Sequence, residues 1–125
     1  MLSGLFSKSE KVDIPWKQLK DVSDLNEVDE VSKNKPVLLF KHSTRCSISA
    51  MSLSRFERGY QGESPFELYF LDLIAHRDVS NQVAEKYAVR HESPQAILIK
   101  NGKAVFDSSH MGINYSELSD EAKKL

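Results

Sequence analysis

Apolar positions along this chain fall into a few distinct rhythms. Leu19, Val22, Leu25 and Val28 recur at a spacing of three with acidic residues between them, which predicts an amphipathic helix from Trp16 to about Lys33. Asn34-Lys35-Pro36 ends it. Val37-Leu38-Leu39-Phe40 is a continuous apolar run, the pattern of a strand buried on both faces. A polar turn, His42-Ser43-Thr44-Arg45, leads to Cys46, and Ser47 to about Arg58 can be helical. There Ile48, Leu53, Phe56 and Tyr60 share one side with Ser49 and Ser52, and Gly59 and Gly62 mark the exit. Phe66 to Leu73 reads as a second buried strand. Arg77 to Tyr87 reads as a helix, with Val79, Val83 and Tyr87 at a spacing of four. Gln95 to Lys100 is a third strand, Asn101-Gly102 a two-residue hairpin turn, and Ala104 to Asp107 the returning fourth strand. Tyr115 to Leu125 can close the chain as a helix.

The order is α-β-α-β-α-β-β-α. The first strands are linked by helices and are expected to be parallel, while the last two form a hairpin, which makes the sheet mixed. The fold class is therefore α/β, a four-stranded mixed sheet flanked by helices. A chain of 125 residues with 40% hydrophobic and 28% charged positions fits one globular domain, and the composition excludes a disordered or collagen-like chain. The domain is expected over residues 15–125, with residues 1–14 as a flexible arm.

Charge and leader signals narrow the partners. The net charge is −1, with Lys and Arg dispersed, so no electrostatic footprint for nucleic acid is present. The apolar patch Leu2, Leu5, Phe6 is shorter than a signal-peptide core, and no run reaches membrane-spanning length. A cytoplasmic protein without a membrane partner is expected.

The chain has one cysteine. An intramolecular disulfide framework is excluded, and no tightly bound metal or cofactor is expected. A lone cysteine is often only a small buried hydrophobe. Cys46, however, follows a buried strand and a polar turn at the start of a helix, where free N–H groups and the positive end of the helix dipole favour a thiolate. Arg45 adds a positive charge beside it. His42 either adds another or simply ends the strand. Ser43 or Thr44 is the expected N-cap. Ser49, three residues on, stands where a two-cysteine redox enzyme keeps its resolving cysteine. It either hydrogen-bonds the thiolate or is a small residue on a packed helix face.

From Val83 the sequence VAEKYAVRHESPQAILIKNGK resembles the third helix, proline-led strand and hairpin of thioredoxins, with one residue more before Pro94. The stretch Leu39-Phe40-Lys41-His42-Ser43-Thr44, one residue, Cys46, with Ile48 and Ser49 after it, resembles the YtxJ-like monothiol bacilliredoxin family. That family has proline where this chain has Ser47, whose N–H is then available to the thiolate. The resemblance implies a thioredoxin-like three-layer sandwich, a cis Ser93–Pro94 bond beside Cys46, and a Ser93 backbone that pairs with the incoming substrate chain. It also implies an activity: Cys46 takes bacillithiol, a low-molecular-weight thiol, from S-thiolated client proteins, and a second bacillithiol frees it. The run Val37 to Phe40 has no carboxylate of the kind that assists a resolving cysteine, which a one-cysteine enzyme does not need.

Other readings use the same residues. A glutathione-dependent monothiol glutaredoxin would carry Cys-Gly-Phe-Ser, unlike Cys46-Ser47-Ile48-Ser49, and a glycine cluster after Pro94, which is missing. A non-catalytic thioredoxin-like binding module would have a slow Cys46, and a peroxide sensor would keep its oxidised adducts. A metal site from Cys46, His42 and His91 has no spacing rule behind it. His110, Met111 and Gly112 lie in a loop that borders the active site in thioredoxins.

Overall fold

The apolar run at Val37 becomes the centre of the sheet. In the computed structural model, which describes residues 13–125, strand β2 (Val37–His42) is buried along its whole length. Burial on both faces explains why it shows no alternation. Around it the chain runs β1 (Lys17–Gln18), α1 (Asp24–Ser32), β2, α2 (Ser47–Gly59), β3 (Glu67–Asp72), α3 (Arg77–Lys86), β4 (Gln95–Lys100), β5 (Lys103–Ser109), a 3-10 turn (His110–Gly112) and α4 (Tyr115–Lys123).

The sheet has five strands in the order β1-β3-β2-β4-β5, one more than the sequence predicts. β1 and β2 run parallel to β3, while β4 is antiparallel to β2 and to β5. The first helix-linked strands, β2 and β3, are parallel as expected, and β4, although also reached through a helix, enters antiparallel to β2. The extra strand comes from residues assigned to the first helix, which begins only at Asp24. Leu19 is buried before that helix starts, and its N–H is held by Phe70 of β3. Its place in a spacing of three is thus coincidental.

Two apolar layers sandwich the sheet. Leu25 and Val28 of α1 and Val79 and Val83 of α3 pack on Val37, Leu39, Tyr69 and Ile97. On the other face Phe56 of α2 and Leu118 and Ala122 of α4 pack on Leu38, Phe40, Leu68 and Leu98. The alternation of β2 divides its side chains between the layers. Trp16 joins the second layer. Its ring meets Phe40 and Phe70 edge-on and Phe56 at a tilt, with ring centres 5.5–6.0 Å apart, and it donates Nε1–H to Glu57 (2.9 Å), so it ties the chain just before β1 to α2.

The hairpin forms as predicted, with positive φ at both Asn101 (54°) and Gly102 (73°), as a type I′ turn requires. Asn114 caps α4 by accepting from Glu117 N–H (2.9 Å). Of the arm expected over residues 1–14, residues 1–12 lie outside the described part. Ile14 packs against the second layer. Among the described residues no helix is long and apolar enough to cross a membrane.

Candidate active site

Cys46 stands where β2, the turn after it and α2 meet. The turn closes when Cys46 N–H donates to Ser43 O (3.3 Å), and α2 begins when Ala50 N–H donates to Cys46 O (3.1 Å). Cys46 itself is thus the N-cap residue, with extended backbone (φ −119°, ψ 121°) and no side-chain cap bond. This corrects the expectation that Ser43 or Thr44 caps the helix. The Ser43 hydroxyl turns back to accept from Arg45 N–H (3.4 Å), and Thr44 and Arg45 are exposed. The thiol is half-buried. It is followed by the N–H groups of Ser47, Ile48 and Ser49, which precede the first intrahelical donor.

Ser49 is fully buried against the sheet. Its hydroxyl accepts from Ser43 N–H (3.0 Å) and bonds His42 Nδ1 (2.7 Å). Among the described residues no hydrogen bond joins it to Cys46. Of the two sequence readings, the packed helix face is the one observed, and the hydroxyl also pins the turn. His42 ends β2 in the same network, with its ring 5.6 Å from that of Phe70. Burial pushes its imidazole below the ordinary 6.5, against the opposing pull of the Asp72 and Glu57 carboxylates, so it is neutral near pH 7.

The proline loop flanks this turn. The β2–β4 register runs to Lys41↔Gln95, so the next residues, His42 and Pro94, are neighbours across the strands. The Ser93–Pro94 peptide bond is cis. Pro94 O accepts from His110 N–H (3.0 Å), and His110 O accepts from the Ser52 hydroxyl of α2 (2.9 Å). Arg55 of α2 donates to the carbonyls of Met111 (2.6 Å) and Ile113 (2.8 Å). The turn at Cys46, the proline loop and the 3-10 turn are thereby knitted into one end of the sheet. The Ser93 hydroxyl is buried with no partner among the described residues.

The family description "Monothiol bacilliredoxin BrxC" matches residues 17–118. The chain belongs to the monothiol bacilliredoxin family. Solved structures agree on the architecture. One, described as a candidate oxidoreductase with a thioredoxin fold, is 33% identical over 86% of this chain and 93% of its own, with a TM-score of 0.70. Thioredoxin of Schistosoma mansoni is 26% identical over 88% and 94%, with a TM-score of 0.62. Fasciola hepatica thioredoxin, 20% identical over 86% and 97% at a TM-score of 0.65, shares the fold. The bacilliredoxin is thus a thioredoxin-fold α/β protein of a thiol–disulfide oxidoreductase family, and it carries a single cysteine.

The structure brings Cys46, Ser47, Ser49, His42 and the Ser93–Pro94 loop to one end of the sheet. It gives different partners to the two histidines that the sequence offers with Cys46 for a metal. His42 bonds Ser49 of α2, whereas His91 bonds Lys41 (2.7 Å). Among the described residues no group of three or more His, Cys, Asp or Glu is placed to hold a metal ion. Ile48, expected inside, is 44% exposed next to Cys46, since Ser49, Ser52 and Phe56 form the buried stripe of α2. Sequence reasoning passed over Lys41. Its signal was available: Lys41 continues the alternation of Val37 and Leu39 and so faces the same interior.

Proposed function

We propose that this bacilliredoxin removes bacillithiol from mixed disulfides on oxidised client proteins, with Cys46 as the nucleophile. The observation that carries the reading is the setting of that cysteine. A half-buried thiol caps α2 at the end of the sheet that also carries the cis-proline loop, and a buried serine fills the position of a second cysteine.

In the first step the Cys46 thiolate attacks the bacillithiol sulfur of the client disulfide. A Cys46–bacillithiol disulfide forms, and the client leaves as a thiolate that takes a proton from solvent. In the second step a bacillithiol thiolate attacks the bacillithiol sulfur of that adduct. Cys46 is released as thiolate, and oxidised bacillithiol leaves for reduction by a separate enzyme. The attacking, central and leaving sulfurs must be in line, and the leaving thiol must be stabilised as an anion. The free N–H groups of Ser47 and Ile48 and the helix dipole supply partial positive charge at Cys46, to which Arg45 adds from an exposed position next to the thiol. Thr44 lines the turn from outside. Main-chain groups of Ser93 hold the client strand beside Pro94. His42 and Ser49 keep the turn in shape.

The test is to offer the reduced protein a bacillithiol-modified client and, separately, a glutathione-modified one, following intact mass with time. Rapid transfer of bacillithiol, selective over glutathione and lost in Cys46→Ser, supports the reading. Equal, slow transfer from both, no faster than to a free thiol, overturns it and leaves a binding or sensing module.

A further inference from the structure

Lys41 is a buried cation that the chemistry above does not use. It sits on β2 with no exposed surface, on the face that Val37 and Leu39 present to the apolar layer under α1 and α3. Removing an ammonium from water costs several kcal/mol unless partners compensate. Among the described residues its hydrogen-bond partner is the neutral ring of His91, at 2.7 Å from Nζ to Nδ1. No carboxylate lies within ion-pair distance of it among those residues. Replacing such a group by an apolar side chain is often neutral or stabilising, so an ammonium here is expected to come at a cost to the fold. Buried ionisable groups of this kind concentrate at functional sites.

What Lys41 reaches is the segment that leads into the proline loop. Gln95, its cross-strand neighbour on β4, reaches the same segment. Its amide donates to Arg90 O (3.0 Å) and accepts from Glu92 N–H (3.3 Å). Two buried polar side chains from adjacent strands thus rise to one loop. Gln95 holds its backbone from the strand the loop feeds, and Lys41 holds His91 from the strand that leads to Cys46. Through Glu92 the loop also meets His110 (3.6 Å).

We propose that Lys41 and His91 are positioning residues for the client-binding loop: their hydrogen bond ties residues 90–93 to the end of β2 and so fixes where a disulfide-bearing chain lies relative to Cys46. Neither residue touches the reacting sulfurs. The proposal rests on the reading that clients pair with the Ser93 backbone. The charged and titratable groups around the pair are Glu92 and Arg90 from the loop, Arg77 from α3 and His110 from the 3-10 turn. At neutral pH the ammonium is charged and donates to an uncharged imidazole. Protonating His91 would set two cations against each other and break the tie.

The experiment compares the whole protein with Lys41→Met, His91→Leu and His91→Asn, the last keeping an acceptor near the place of Nδ1. A bacillithiol-modified peptide serves as client. Lys41→Met and His91→Leu are each expected to raise KM for the peptide by roughly fivefold to tenfold, less than the full worth of a charge-assisted hydrogen bond because the bond orders the loop and does not touch the peptide. Alkylation of Cys46 by iodoacetamide, which needs no docking, stays within about twofold of wild type. His91→Asn is expected near wild type, and the double variant Lys41→Met/His91→Leu no worse than either single change. Amide hydrogen exchange of residues 90–93 is expected to quicken in Lys41→Met, whether or not the peptide is turned over. Unchanged exchange there, or a KM unchanged in the variants while the wild-type protein transfers bacillithiol, overturns the proposal and leaves the activity standing. A wild-type protein that fails to transfer overturns the functional reading instead, and exchange alone then decides on the tie.

Discussion

Ser49 shows how one hydroxyl can order the whole approach to Cys46. It accepts from Ser43 N–H and bonds His42 Nδ1, so the turn, the strand end and the first turn of α2 share one atom. Ser49→Ala strands a buried amide and a buried imidazole nitrogen, and leaving such groups unsatisfied costs about 1–3 kcal/mol. Urea denaturation is expected to show that loss together with slower transfer by Cys46; a stability equal to wild type would refute the assigned role. Little of this was legible in the sequence. Spacing placed Ser49 on a packed helix face, but which atoms a buried hydroxyl meets depends on strands far away in the chain. Cys46 was legible because its position relies only on local order: a buried strand, a polar turn and a helix start. The N-cap was misassigned for a related reason. Ser43 and Thr44 are good caps by residue type, but the turn needs Ser43 O to accept from Cys46 N–H, which sets the helix start two or three residues later.

At the scale of elements, the helix and strand rhythms are read correctly wherever one face or both are buried. The misreading at residues 16–23 comes from a two-residue strand, too short to show a period, followed by a buried leucine that happens to keep the helical spacing. Ile48 departs from the pattern because its hydrophobicity points inward by residue type, whereas two serines fill the tight side of α2. Close packing of that helix shows again at Gly59, where an added Cβ would lie 2.5 Å from Tyr115 Cβ of α4. The end of α3 offers a test of backbone energetics. After Tyr87, Ala88 adopts φ 53°, and Val89 N–H donates to Ala84 O (3.1 Å) as in a Schellman motif. An L-residue with a Cβ pays for this conformation, and glycine does not. Ala88→Gly is therefore expected to stabilise the protein by about 1 kcal/mol, measured as a higher urea midpoint with unchanged slope. A lower midpoint would contradict the assignment of that turn.

For the molecule as a whole, buried titratable groups make stability depend on pH in two windows. Burial lowers the affinity of His42 and His91 for a proton below the ordinary 6.5, and for His91 the Lys41 and Arg77 charges act in the same sense. The unfolded chain then binds more protons than the native state as pH falls through the histidine range, so stability declines below about pH 6.5 and is level just above it. Lys41 acts at the other end. Burial pushes its ammonium down to about 8 from 10.5, with Glu92 opposing. The native state sheds that proton first, so stability rises from about pH 8 toward pH 9.5, before the tyrosines titrate. Lys41→Met is expected to abolish this rise and to increase the urea midpoint at pH 7. A flat profile from pH 8 to 9.5 in the wild type would show that the ammonium is solvated.

The central claim is that Cys46 itself receives the small thiol. An equimolar mixture of reduced protein and bacillithiol-modified client, acid-quenched and mapped by peptide mass, tests this directly. The account predicts bacillithiol on the peptide bearing Cys46, in an amount equal to the client thiol released. Client released with Cys46 unmodified, or Cys46 unmodified and no client released, would contradict it.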